Sequence, residues 1–161
     1  MLQSAITSNQ LLMRYGRALV SDVADDRMAE QPLAGVYHPA WILGHLAFSA
    51  DSGAALTGNE KLLPREWEGL FGAGSKVSSV RGDYAPKDEL LRAFEQSYER
   101  LRRLATEATT ETLTKPSPSA RMRDNLPIVQ DGIVFLLTGH LGVHLGQLSA
   151  WRRMNGLPPL F

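Results

Sequence analysis

Two histidines four residues apart, His140 and His144, are the side chains of this sequence best suited to chemistry. Residues i and i+4 lie on the same face of a helix, so both imidazoles would point to one side and could bind one metal ion together. Gln147 returns to that face one turn later, and a third imidazole, His45, occurs far upstream. We expect the fold to bring the three histidines together around one metal ion.

The alternative is that these histidines are hydrogen-bonded structural residues, which is the usual role of a lone histidine on an apolar face. Two unpaired imidazoles in apolar surroundings would cost about 1–3 kcal/mol each, which favours a metal. The glycines beside them weaken a helix and suggest that another element approaches closely there. These glycines are Gly139, Gly142 and Gly146. A three-histidine site is a known catalytic arrangement that leaves positions open for water or substrate.

Two other classes of metal site are argued against by missing residues. The Glu-x-x-His pairs of a ferritin-like di-metal centre do not occur. The His-Glu-x-x-His protease motif is also missing, because Leu141 occupies the glutamate position. The fourth histidine, His38, precedes Pro39, and we expect it to have a surface or helix-capping role.

The composition excludes several classes of function. The chain has no cysteine, which rules out disulfides, thiolate ligands and a cysteine nucleophile and leaves histidine and oxygen as metal ligands. Its 17 basic and 17 acidic side chains give no net charge, so we expect no nucleic-acid partner. The arginines within 100–103 and at 152–153 are expected on solvated helix faces. Neither a secretion signal nor an uninterrupted apolar segment of about 18 residues is visible, so we expect a cytoplasmic protein with no membrane partner.

The hydrophobic pattern predicts four long amphipathic helices and almost no strand. They cover about residues 7–28, 39–57, 86–108 and 127–154. Thr7 and Gln10 have the spacing of a capping box, while Pro39 and Pro86 suit first helical positions. The sequence therefore predicts an all-α four-helix bundle, formed as one domain over residues 1–161.

A long irregular connector, residues 58–85, separates the second and third predicted helices. Its Trp67, Leu70 and Phe71 offer an apolar anchor, so we expect it to lie over one end of the bundle. A packed connector and a lid over a site are both open interpretations. No general base is evident, because Asp51 lies off the face of His45. The acidic residues that would reach the site only if the connector folds over it are Glu66, Glu68 and Asp83.

Three segments together resemble the DinB-like superfamily of bacterial metalloenzymes: Trp-Ile-Leu-Gly-His-Leu-Ala at 41–47, Gly-His-Leu-Gly-Val-His-Leu-Gly-Gln-Leu at 139–148, and Trp-Arg-Arg-Met-Asn-Gly-Leu-Pro-Pro at 151–159. The resemblance covers nearly the whole chain. It implies a four-helix bundle with a long crossover connection after helix two and a divalent metal ion held by three histidines, which match His45, His140 and His144. Characterised relatives include S-transferases for low-molecular-weight thiols, a thiol-dependent maleylpyruvate isomerase and domains of ergothioneine-pathway enzymes. They often dimerise, so we expect a homodimer with a small-molecule substrate.

Three neutral imidazoles leave a divalent ion with its full positive charge, which lowers the pKa of bound water to about 7 or keeps a coordinated thiol deprotonated. The first route gives hydrolysis and the second gives attack of a thiolate on an electrophile. The resemblance implies zinc or nickel first, with iron or manganese as alternatives; imidazole itself does not choose among these ions, because it suits several of them. Gln147 is interpreted as a partner that orients a ligand, a weak ligand, or a hydrogen-bonding residue between helices. An enzyme is favoured over a non-enzymatic bundle with a structural metal or a stress-related binding role.

Overall fold

Helices account for most of the computed structural model, which describes residues 2–118 and 123–160. In chain order they are α1 (Leu2–Ser21), α2 (Pro39–Leu56), α3 (Trp67–Phe71), α4 (Lys87–Glu107), α5 (Thr110–Thr114), α6 (Val129–Phe135), a π-helical turn (Leu136–His140) and α7 (Leu141–Met154). Short 3-10 turns cover Asp25–Arg27 and Arg81–Asp83. Within the described ranges there is no strand, only an isolated antiparallel bridge between Pro116 and Ile128. The all-α prediction is confirmed.

The crossover connection makes α2 and α4 parallel. Near the N-terminal ends of both helices, His38 donates from Nε2 to the carbonyl of Ser78, which precedes α4 in the chain. About three turns further on, Asp51 of α2 pairs with Arg100 of α4 at 3.0 Å. The connector must therefore return the chain along the full length of α2 before α4 can begin.

The other two long segments are parallel to each other and antiparallel to this pair. Asn9, near the start of α1, bonds to the Leu137 carbonyl at 2.8 Å, and Arg152, near the end of α7, bonds to the Leu19 carbonyl at 2.9 Å. Within the bundle, α1 and the segment 129–154 therefore run in one direction, and α2 and α4 run in the opposite direction. Its core consists of the inward stripes of all four segments, and each large buried side chain stabilises the fold by about 1.5–3 kcal/mol. Fully buried examples are Ile42, Leu46, Phe94, Leu101, Leu137, Leu148 and Trp151.

The bounds of α1 differ from the predicted 7–28. The helix begins at Leu2, so Thr7 lies inside it and its hydroxyl donates to the Gln3 carbonyl at 3.1 Å instead of capping. It ends at Ser21, after which Val23 and Met28 are buried from a short turn. The hydrophobic pattern of a helix continues past residue 21, but burial of these two side chains outside the helix outweighs it.

The second helix follows its local signals closely. Pro39 is its first residue and Gly58, with a φ of +83°, follows its last turn. His38 caps it, because its Nδ1 accepts from the Trp41 backbone N–H at 3.3 Å. The capping prediction is confirmed, but the surface prediction is wrong, since His38 is fully buried.

Arg152 contradicts the prediction of a solvated arginine face. Its side chain is fully buried, and its guanidinium donates to the Leu19 and Pro158 carbonyls and to the carboxylate of Asp22. The hydrogen bond from Arg152 holds the pKa of Asp22 below its usual value. Arg153, one residue on, stays exposed. The ion pair ties the end of α7 to the end of α1.

The segment Val129–Met154 is long and apolar enough to cross a membrane by length and composition alone, with a mean hydropathy of 1.3 over its 18-residue window. This is weak evidence, because a core helix of a soluble protein meets the same test. In the bundle the segment packs against α1 and α2. The cytoplasmic location stays a prediction.

Candidate metal centre

His45 enters the site from α2, with its ring orientation set by the connector. Its Nδ1 lies 2.6 Å from the Phe71 carbonyl oxygen, and because a carbonyl can only accept, Nδ1 carries the proton. The Nε2 lone pair is therefore free to bind a metal. Gly44 makes this contact feasible, since a Cβ at that position would lie 2.2 Å from Cε1 of the Phe71 ring.

Trp41 holds the plane of the His45 ring. The two rings are stacked, with centroids 4.6 Å apart and an interplanar angle of 8°. The indole N–H donates to the Leu70 carbonyl at 3.1 Å and to the Ser75 hydroxyl at 3.0 Å, so the connector fixes the indole in turn. The connector is thus packed on α2 and orients a site histidine.

His140 ends the π-helical turn, a feature that frequently occurs at functional sites. A π turn changes the register of the backbone hydrogen bonds, and two buried side chains donate to its carbonyls. Asn9 of α1 donates from Nδ2 to the Leu137 oxygen at 2.8 Å, and Tyr98 of α4 lies 3.4 Å from the Leu136 oxygen. Arg102 completes this arrangement by donating to the Asn9 Oδ1 at 2.6 Å. The geometry of His140 therefore depends on neighbouring helices.

His144 is oriented by Gln147, within the same helix. The Nδ1 of His144 lies 2.8 Å from Oε1 of Gln147 and donates to it, which leaves Nε2 free. Of the roles considered for Gln147, the structure therefore supports orientation of a candidate ligand. Within residues 2–118 and 123–160, the alternative of a hydrogen bond from Gln147 to another helix is not observed.

The fold brings the three imidazoles together, with ring centroids 4.6–5.1 Å apart. One candidate ligand atom from each of His45, His140 and His144 lies within 4.8 Å of the others, and in the described ranges no carboxylate joins this group. The Nε2 atoms of His45 and His140 face each other at 3.1 Å. All three histidines are thus placed where one ion could contact them.

The residues fit a divalent ion. Two facing nitrogens need a proton or a cation between them, and nitrogens bound to a tetrahedral zinc lie about 3.3 Å apart, close to the observed separation. Among the described residues the buried Nδ1 of His140 has no hydrogen-bond partner, so the only hydrogen-bonding contact of this ring there is the one with His45. Three neutral nitrogen donors are also a common ligand set for zinc.

Burial lowers the pKa of all three histidines. The pKa falls to about 3 for His140 and to about 4 for His144, mainly because the interior disfavours the charged imidazolium, with repulsion from neighbouring imidazoles second. Burial also lowers the pKa of His45, against the opposing effect of its bond to the Phe71 carbonyl. At neutral pH the three rings are uncharged and present lone pairs.

These pKa values predict that acid destabilises the metal-free protein. The unfolded chain takes up protons near pH 6.5, whereas folded His140 and His144 do so only near 3 and 4, so stability is present above 6.5 and falls as the pH is lowered. Between pH 6.5 and 5 we expect a loss of roughly 1–2 kcal/mol for each of the two histidines. Urea unfolding at a series of pH values measures this loss. The His140→Asn variant should show a smaller slope, and an equal slope would contradict the assignment.

Asn9 is predicted to control the affinity of the site for metal through the π turn. The Asn9→Asp change keeps the acceptor for Arg102 but removes the donor to the Leu137 carbonyl, so the turn that carries His140 should shift. We expect metal affinity to fall about tenfold, as for other groups that orient a ligand. Competition with a chromogenic chelator measures the affinity. The control is Gln10→Glu, the same amide-to-acid change at the exposed neighbouring residue, and equal affinities in the two variants would contradict the prediction.

The acidic residues considered as bases do not enter the described histidine group. Asp51 is buried and accepts from the backbone N–H groups of Leu62 and Leu63 at 2.9–3.1 Å while pairing with Arg100. It therefore anchors the connector. The other acidic residues outside the group are Glu66, Glu68 and Asp83.

The interpretation of the histidine-helix glycines is corrected at all three positions. Among the described residues, a Cβ at Gly142 or Gly146 would meet no atom within 4 Å. At Gly139 a Cβ would lie 3.2 Å from the Phe135 ring, but Phe135 belongs to the same helical segment and not to another element. Sequence reasoning also missed Asn9, although a polar side chain in the buried stripe of a helix signals a buried hydrogen bond.

The fold and the site define an all-α bundle with a candidate three-histidine metal centre. The family model of the DinB superfamily matches residues 14–148, which is most of the chain, and the protein belongs to that superfamily. Among curated proteins and among solved structures, no match is found. Superfamily membership and the histidine cluster are both compatible with metal binding.

Proposed function

We propose that this protein is a metal-dependent enzyme that holds one divalent ion, zinc or nickel, at His45, His140 and His144. The observation that carries the proposal is the position of the three histidines beside a cavity of about 470 Å³, whose wall includes His45 and His140. Structural zinc sites are closed by four protein ligands, whereas catalytic sites have three and an open position. In the described part of the chain the group holds three candidate ligands and adjoins a space for a small molecule.

The proposed reaction is transfer of a low-molecular-weight thiol to an electrophile, with hydrolysis as the related alternative. In the transfer, a carbon–sulfur bond forms, the leaving group departs with its electron pair, and the thiol proton passes to solvent. A divalent ion in the site supplies a positive charge that favours the deprotonated form of a coordinated thiol or water. The Phe71 carbonyl and Gln147 hold His45 and His144 in the tautomers that present Nε2 to the site, and Trp41 excludes water from one face of His45.

Membership of the DinB superfamily supports this proposal, because the residues that resemble its thiol transferases are the ones that converge here. A small-molecule substrate and a homodimer are further parts of the proposal, and both rest on that resemblance. A cytoplasmic location is supported by the cysteine-free composition, which suits a reducing compartment.

The test is metal analysis of untagged protein followed by a thiol-consumption assay. Glutathione, bacillithiol and mycothiol are each mixed with 1-chloro-2,4-dinitrobenzene, and loss of free thiol is followed with metal-loaded protein, metal-free protein and the His144→Ala variant. We expect consumption only with the metal-loaded wild-type protein. Product formed without thiol would favour hydrolysis, and equal rates for all three proteins would contradict a metal-dependent transferase.

A structural metal is the second candidate function, because the histidines come from α2 and from the 129–154 segment and one ion would join these helices. In that case chelation should unfold the protein, and no turnover should accompany metal loading. A metal-free protein that keeps its helical circular dichroism and its cooperative melting would argue against this candidate.

A further inference from the structure

The cavity beside the histidines lies between two antiparallel helical segments and is lined along α2, and we call it the channel. One wall is a stripe of α2 with helical spacing, formed by His45, Ser49, Ser52 and Leu56. From the first to the last of these residues the helix rises about 16 Å. The two ends of the channel are therefore different, with the histidines at one end and Leu56 at the other.

The opposite wall is formed by the segment 129–154, which runs antiparallel to α2. Gly132, Leu136 and His140 line it at intervals of four residues, and Phe135 adds an aromatic ring. Gly132 lies against the Leu56 end, since a Cβ at this glycine would come within 3.1 Å of the Leu56 side chain. At the other end the Nε2 atoms of His140 and His45 meet. The histidine nitrogens thus lie at one end of the channel.

No charged side chain lines this cavity among residues 2–118 and 123–160. Its polar side chains, apart from the two histidines, are three serines, which can donate and accept hydrogen bonds but cannot neutralise a charge. These are Ser49, Ser52 and Ser117. Away from the histidine end, where the proposed metal ion would lie, a charged group would lose its hydration without gaining an ion pair from these described lining residues, which is costly.

We propose that the channel binds a neutral, elongated, apolar molecule whose reactive end lies at the histidines. This rests on the proposed function, because it specifies the class of electrophile for that site. A cavity of about 470 Å³ lies within the range of roughly 300–1,000 Å³ that is usual for small-molecule sites, and it accommodates fused aromatic rings or a medium-length alkyl chain.

The first experiment compares two fluorescent probes with the same aromatic body. N-phenyl-1-naphthylamine is neutral, and 1-anilinonaphthalene-8-sulfonate carries one negative charge. Both are titrated into the full-length protein freed of metal, so that no bound cation attracts the sulfonate. We expect the neutral probe to bind at least about tenfold tighter, because the sulfonate would be desolvated without a partner. Equal or tighter binding of the sulfonate, or no binding of the neutral probe, would overturn the proposal.

Two pairs of variants locate the bound probe. Ser49→Phe fills the channel and should weaken the neutral probe at least about tenfold, whereas Ala55→Phe adds the same ring on the exposed side of α2 and should leave its affinity unchanged. Leu56→Lys places a cation at the far end and should reduce the preference for the neutral probe about tenfold. Leu62→Lys, at a residue that is 63% exposed, should not. An unchanged preference in Leu56→Lys overturns the proposal even if Ser49→Phe fails to fold.

The outcome is separable from the outcome of the proposed function. If the neutral probe binds in the channel but no thiol is consumed with any electrophile, the site is a binding site and the transferase proposal fails. If thiol transfer occurs only with anionic electrophiles, the transferase proposal stands and the neutral-ligand inference fails.

Discussion

Replacement of His140 or His144 by alanine is expected to lower the affinity for divalent metal by more than about 100-fold, since groups that merely orient a ligand are worth roughly 10- to 100-fold. Each change removes one of the three nitrogens that converge at the site. The wild-type protein should bind about one metal ion per chain under the three-histidine hypothesis. Inductively coupled plasma mass spectrometry after exhaustive dialysis should find that the variants have lost it.

The control for this prediction is His38→Asn. It removes a buried histidine outside the cluster, and asparagine can still cap α2. This variant should keep its metal, which separates loss of a ligand from loss of a buried imidazole. If His140→Ala and His144→Ala both retain full metal, the three-histidine assignment is wrong.

Gly44→Ala is expected to damage the fold and the site together. The new methyl group would lie 2.2–2.5 Å from three carbons of the Phe71 ring, and this ring is 1% exposed, so it has little free space to move into. Overpacking of this kind costs about 1–3 kcal/mol of unfolding free energy. Displacement of Phe71 would also move the carbonyl that holds His45, so metal affinity should fall roughly 10- to 100-fold. Urea unfolding and metal competition measure the two effects.

Gly146→Ala is the matched control for this change. Gly146 is also a helical glycine, but a Cβ there meets nothing within 4 Å. It should leave the metal affinity unchanged and stabilise the protein by up to about 1 kcal/mol, because alanine favours helix over glycine. Adding Phe71→Leu to Gly44→Ala should recover part of the lost stability by making room for the methyl group. Equal behaviour of the two single variants would show that the Gly44–Phe71 contact is not the cause.

Features of the protein that depend on a few neighbouring residues were predictable from the sequence. Pro39 begins α2 because its fixed φ suits a first helical turn, and Gly58 and Gly156 follow helix ends with φ of +83° and +73°. The i to i+4 spacing puts His140 and His144 on one side of their segment even though a π turn immediately precedes α7. Helical periodicity over the four long segments was sufficient to predict the bundle class.

Features that depend on residues far apart in the chain were decided only by the tertiary structure. Arg152 pairs with Asp22, which lies 130 residues away in the sequence. The residues next to Arg152 show only an arginine near a helix end and do not predict this carboxylate partner. Helix α1 ended before its periodicity did, because Met28 is buried from outside the helix. In each case a long-range contact outweighs a local preference worth less than about 1 kcal/mol per residue.

The candidate metal centre shows the same division. The sequence by itself determined which three imidazoles are available and, since cysteine is absent, that nitrogen and oxygen are the available ligand types. Only the tertiary structure decided that His45 presents Nε2, because its Nδ1–H donates a hydrogen bond to the carbonyl of Phe71 on the crossing connector. It likewise decided that Asn9 holds the turn before His140, and that a channel without charged lining residues among those described adjoins the site. Hydrogen bonds and cavities of this kind form between elements, so no spacing within one element encodes them.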